Sequence, residues 1–200
     1  MRLGFNEAND RFCQGHTVMQ DLELCEKYGF DCIDIQSECL NRDLEKGIVT
    51  IEELGAWFAT HHLKMLSYNA LCFFNMKQTA EEKQAVMDEL DEIIRRCNIL
   101  GCKMIVVVPS QDMKARGLQP TRKEIREDAV AVLKEMVKKV EPHGIKLSLE
   151  FCGAPDMTIN RFEDAYAIVE AVDSPLVGVT LDQYHFYAMG SGWESLEKAD

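Results

Sequence analysis

The sequence predicts an α/β fold on a parallel sheet, the (β/α)8 TIM barrel class, with only about six βα units present in its 200 residues. Three observations carry that expectation. Short apolar runs alternate with amphipathic helical stretches. A polar helix-start signature recurs after each run. Every run also ends in polar or turn-forming residues, as the rim of a barrel requires.

The strand-like runs are RLGFN at 2–6, DCIDIQ at 31–36, KMLSYNA at 64–70, KMIVVVP at 103–109, IKLSLEF at 145–151 and GVTLD at 178–182. Between them, helices are expected to open on capping-box pairs, a short polar cap with Glu or Gln three residues later. The pairs are Thr17/Gln20, Thr50/Glu53, Thr79/Glu82, Thr121/Glu124, Asn160/Glu163 and Ser191/Glu194. One such pair is weak; recurrence after each strand points to a βαβα order. Gly29, Gly101 and Gly144 fall where a left-handed helix end is wanted. In Thr79–Leu100, Val86, Leu90, Ile93, Ile94 and Cys97 share one helical face. In Thr121–Val140, Ile125, Ala129, Val132, Leu133 and Met136 do the same. Trp57 and Phe58 read as core. No linker rich in Pro, Gly or Ser interrupts the chain, so residues 1–200 read as a single domain.

Strict βαβα order allows a barrel or an open doubly wound sheet. Polar ends on all the strands favour the barrel: Asn6, Glu7, Asp34, Gln36, Asn69, Pro109, Ser110, Glu150 and Asp182. An open sheet would gather function at one switch point, and no glycine-rich nucleotide motif is present. A complete barrel takes about 250 residues. Six strands are used by Asp182, so the last two βα units are expected to be lacking from this sequence.

The formal net charge is −12 and the sequence pI about 4.9. Such a surface repels phosphate backbones and anionic lipid, so no nucleic-acid or membrane partner is expected. Eight cysteines occur without a C-x-x-C pair. With no apolar leader, they suit a reducing compartment, and a cytoplasmic location is expected.

The chemistry is expected at Glu150 and Asp182. Each ends a strand, and the two strands are neighbours in the same sense, so both acids fall at one end of the sheet. A lone strand-end carboxylate more often caps a loop or pairs with a lysine. Two side by side repel, and a divalent cation relieves that repulsion. His185 follows at Asp182-x-x-His185, at the start of the loop, where it is expected to contact substrate or support the ligands. His61, His62 and His143 fall at the opposite end; His16 is on the right side but stands alone. Asn6, Asn69 and Phe73 fall near the mouth and are candidates to line a small polar pocket.

These residues resemble a known family. The stretches FNEA at 5–8, DLELCEKYGFD at 21–31, THHLKMLSYNALCFFN at 60–75, LGCKMIVVVP at 100–109, EPHGIKLSLEF at 141–151 and LDQYHFYAMGSGWESLEKAD at 181–200 resemble the xylose-isomerase-like TIM barrels, a group of sugar phosphate isomerases and epimerases that also includes endonuclease IV. FNEA, NALCFFN and HFYAMGS narrow the resemblance to the inosose isomerase type. The resemblance implies a divalent metal ion, Zn or Mn first and Mg or Co next, held by four side chains. Two match Glu150 and Asp182; a strand-seven His and a strand-eight Glu would lie beyond Asp200. It implies a carbonyl shift between adjacent carbons of a keto-inositol (2-keto-myo-inositol) through an enediolate, in inositol catabolism. Glu150 would move the proton, and His185 would hydrogen-bond a substrate hydroxyl or polarise the carbonyl. The expected partner is a small polyol or keto-sugar, and a homo-oligomer is left open. The rivals are a ketose 3-epimerase on the same barrel, a metal-dependent nuclease like endonuclease IV and a non-catalytic partial barrel. The negative charge and the few strand-end histidines speak against the nuclease.

Overall fold

The computed structural model describes residues 2–9, 13 and 15–199. In chain order the elements are β1 (Gly4–Asn6), α1 (Val18–Lys27), β2 (Cys32–Gln36), α2 (Ser37–Glu45), α3 (Ile51–Thr60), β3 (Lys64–Cys72), α4 (Ala80–Leu100), β4 (Met104–Val108), α5 (Arg122–Val140), β5 (Lys146–Glu150), α6 (Phe162–Val172), β6 (Val177–Thr180), α7 (Gln183–Ala188) and α8 (Trp193–Leu196). Short 3-10 turns occupy Glu7–Asn9 and Glu141–His143. All six expected strands form, and they are ordered β1 to β6 in one sheet, as in a TIM barrel. Among the described residues, no helix is long and apolar enough to cross a membrane.

The chain divides into two compact units, Met1–Ala70 with Asp91–Ile105, and Leu71–Leu90 with Val106–Asp200. In the first, β1 pairs parallel with β2, and β2 with β3; Asn6 faces Asp34 and Gln36 faces Asn69. Leu22, Ile33, Ile35, Leu40, Leu54 and Leu63 are fully buried between strands and helices. The capping boxes at Thr17 and Thr50 form in full. Phe58 is buried, as expected, whereas Trp57 is only half-buried and stacks on the His61 ring, with centroids 3.9 Å apart. Helix α2 was not expected. It starts directly at the end of β2, and Gln36, its N-cap, makes no side-chain capping bond. The polar start signature is therefore absent, and burial of Cys39, Leu40 and Asp43 holds the helix instead.

In the second unit, β5 and β6 pair parallel, with Leu147 facing Val177 and Glu150 facing Thr180. Leu147, Leu149 and Phe151 are buried. Helix α5 opens on the expected box at Thr121 and buries Ala129, Leu133 and Met136. Two expected caps fail. The N-cap of α6 is Arg161, and Asn160 instead donates its amide to the Ala154 carbonyl at 3.0 Å. The N-cap of α8 is Gly192, because the Ser191 hydroxyl is used elsewhere: it accepts the Phe162 N–H at the start of α6, at 3.0 Å. Leu181, within the expected strand run at 178–182, lies past the end of β6 and is half exposed.

Candidate metal centre

The site grows from the ends of β5 and β6. The Ser148 and Thr180 hydroxyls lie 2.6 Å apart across the two strands. Glu150 is the last residue of β5, and its register partner is Thr180. Asp182 therefore does not lie level with Glu150 on the neighbouring strand, as the sequence suggested. It is two residues further on, outside β6, where the chain turns into α7.

Asp182 is the N-cap of α7, and its Oδ1 accepts the His185 N–H at 3.0 Å. The spacing Asp182-x-x-His185 is thus a helix cap in its own right, since a cap side chain reaches the third N–H that follows. His185 accordingly sits on a helix rather than in a loop. The turn brings its ring back over β5, with Nε2 3.9 Å from Glu150 Oε1. Glu150, Asp182 and His185 each offer one ligand atom, all within 4.8 Å of one another. The His185 and Glu150 side chains retain 25% and 16% of their exposure, so the cluster is reached from solvent.

These residues fit a divalent cation. Two carboxylates and an imidazole make a mixed O/N donor set of the kind zinc and manganese accept. The Nδ1 of His185 is buried with no hydrogen-bonding partner, an orphaned polar atom on the ring whose Nε2 faces Glu150. The negative field is felt next door. Burial, then the charges of Glu150, Cys72 and Asp182, push the Cys152 thiol up to about 12. Burial and the neighbouring acids thus favour the neutral thiol at Cys152. The sequence had given no reason to single it out beyond its place two residues after Glu150.

Phe73 is in the same unit, in the left-handed region at φ 59° and partly exposed, and it lines a cleft with Lys77, Glu82, Ser110, Gln111 and Arg116. Asn6 and Asn69 belong to the first unit. Asn6 Oδ1 accepts the Ala8 N–H at 2.9 Å, a local turn. Asn69 Nδ2 donates to Asp34 Oδ2 at 2.9 Å, and the Ser67 hydroxyl donates to Asp34 Oδ1. Burial raises the Asp34 carboxyl above its ordinary range, and those two hydrogen bonds oppose the rise. Three of the other four histidines have partners close in their own unit: His16 pairs with Asp21 at 2.8 Å, His62 with Glu26 at 3.2 Å, and His61 with the Trp57 carbonyl at 2.8 Å.

Known proteins match along the whole chain. The inosose isomerases of Bacillus velezensis and Bacillus subtilis are 38% and 39% identical to it over 200 residues. Each alignment covers 100% of this chain and 69% of the relative. A crystal structure of the IolI protein with a bound zinc atom superposes with a TM-score of 0.92 at 39% identity, covering 100% of this chain and 69% of that one. The xylose isomerase-like TIM barrel family matches residues 22–200, and the chain belongs to that family.

Proposed function

We propose that this chain is an inosose isomerase, which moves a carbonyl between adjacent carbons of a keto-inositol ring. The observation that carries the reading is the clustering of Glu150, Asp182 and His185 within 4.8 Å, in a chain 39% identical to a zinc-bound relative. In it, residues 1–200 act as one barrel-type domain. Glu150 and Asp182 hold the cation, with zinc or manganese suited to their donors. A bound divalent cation supplies Lewis acidity toward the ketone and neighbouring hydroxyl oxygens of the substrate.

The side chains do the rest. The Glu150 carboxylate, fixed at the end of β5, removes the proton on the carbon beside the ketone and returns it to the former carbonyl carbon. The former carbonyl oxygen gains a proton as the adjacent hydroxyl loses one, so the product is an isomer with no net gain or loss of atoms. The His185 ring, whose Nε2 lies 3.9 Å from Glu150 Oε1, hydrogen-bonds a substrate hydroxyl or polarises the carbonyl. Phe73 is assigned to the substrate pocket as an apolar wall.

The test is metal-loaded protein with 2-keto-myo-inositol in heavy water, followed by proton NMR. Wild type is expected to exchange the α-proton and form the isomeric inosose, and Glu150→Gln to do neither. Undiminished exchange by Glu150→Gln removes Glu150 as the base. No turnover of any keto-inositol by the metal-loaded wild type removes the assignment, and inversion at C3 of a ketose would replace it with an epimerase.

A further inference from the structure

Gly153 follows Glu150 by three residues, on the loop between β5 and α6. A Cβ built there would lie 2.6 Å from the His185 carbonyl oxygen, 2.8 Å from the His185 Cα and 3.0 Å from the Ala188 Cβ. The first two are backbone atoms, so no change of rotamer relieves the clash. The φ of Gly153 lies outside the left-handed region, so it is space rather than backbone conformation that requires glycine here.

Neither side of this contact yields easily. The loop is tied by Cys152 N–H to the Ile159 carbonyl at 3.2 Å, Ala154 N–H to the Cys152 carbonyl at 2.7 Å, and the Asn160 amide to the Ala154 carbonyl. Helix α7 is held from beyond by Ser191 N–H to the Phe186 carbonyl at 3.1 Å. The Phe186 ring also packs against Phe162 and Trp193, with centroids 5.9 and 4.9 Å away. A methyl group at position 153 therefore displaces the histidine that the loop touches. Ligand distances around a cation tolerate only about 0.2 Å, so a small displacement is enough to spoil the cluster.

The geometry points to Gly153 as a positioning residue for the metal centre: its missing side chain lets the β5–α6 loop seat α7 so that His185 faces Glu150 and Asp182. This deepens the isomerase reading and rests on it only for the identity of the centre.

The test compares wild type, Gly153→Ala, His185→Ala and the double variant by calorimetric titration with Co²⁺ and by the visible band of the bound Co²⁺. Gly153→Ala is expected to weaken Co²⁺ binding about tenfold or more and to shift the band. In the His185→Ala background the same change is expected to alter affinity by less than about twofold, because the ring it positions is gone. Equal loss in both backgrounds means a general packing defect and overturns the proposal. A metal-free reading uses the His185 amide, whose bond to Asp182 protects it from hydrogen exchange. Exchange about tenfold faster in Gly153→Ala supports the positioning role even if wild type takes up no Co²⁺, an outcome that would sink the metal reading alone. Unchanged exchange with unchanged Co²⁺ affinity sinks the positioning role and spares the metal reading. If circular dichroism shows Gly153→Ala unfolded, Ala188→Ile crowds the same contact from the helix side and is read against the same outcomes.

Discussion

Ser148 and Thr180 share a hydrogen bond of 2.6 Å between β5 and β6, next to the strand end that carries Glu150. Ser148 faces Gly178 in the register, so the bond runs diagonally. Ser148→Ala or Thr180→Val is expected to cost about 0.5–1.5 kcal/mol, the usual net value of one such bond. The double variant should cost less than the sum of the two, because both remove one interaction. Urea denaturation of the four proteins checks this, and strict additivity would show that the two hydroxyls act independently.

Asp182 has two jobs that substitution can separate. As the N-cap of α7 it accepts the His185 N–H, and as a carboxylate it faces Glu150. Asparagine caps a helix as well as aspartate does, whereas alanine loses about 0.5–2 kcal/mol. Asp182→Asn is therefore expected to match or exceed wild type in metal-free stability, since it also removes a like-charge neighbour of Glu150. Asp182→Ala should be less stable than both. Both variants should bind Zn²⁺ at least about tenfold more weakly, a loss seen even for groups that only support ligands. Thermal melts without metal and zinc titration separate the two roles.

The acid limb of stability has a local source. Glu92 on α4 accepts from Arg95 at 2.8 and 2.9 Å and from Arg96 at 2.8 Å. Those bonds, with the charges of both guanidinium groups, overcome partial burial and hold its carboxyl at about 2 rather than 4.5. A depressed folded value means that the contribution is fully present above pH 4.5 and is lost as pH falls toward 2. Glu92→Gln should thus be less stable than wild type at pH 6, and the gap should close across that window. Added salt should shrink the gap, since Glu92 is well exposed. Denaturation midpoints against pH decide it; a constant gap would refute the assignment.

The parts of this fold legible in the sequence are those set by local chemistry. Thr17, Thr50 and Thr121 cap their helices from within four residues, and Leu90, Ile93 and Cys97 are buried at the helical spacing that announced them. The carboxylate pair was legible because strand order put both acids at one sheet end. What escaped depends on contacts far apart in the chain. Helix α2 has no cap of its own to announce it. The approach of Gly153 to His185 joins residues 32 positions apart, and no periodicity encodes it. The turn of Asp182 into α7 was written in its spacing to His185, but as a cap rather than as a loop ligand.

Ser191 offers the clearest case of a cap supplied from a distance. It is 29 residues from Phe162, yet its buried hydroxyl takes the first N–H of α6 at 3.0 Å, while Asn160, the local candidate, is turned to the Ala154 carbonyl. The same serine donates its own N–H to the Phe186 carbonyl at the end of α7, so one residue ties α6 to α7. Ser191→Ala would leave a buried N–H without a partner, at a cost of about 1–3 kcal/mol. Asn160→Ala would remove a bond that is only part-buried, and should cost less. The Phe162 amide should exchange faster in Ser191→Ala and remain protected in Asn160→Ala. If the order of the two variants were reversed, both in denaturant midpoint and in Phe162 exchange, the cap of α6 would have to be returned to the local asparagine.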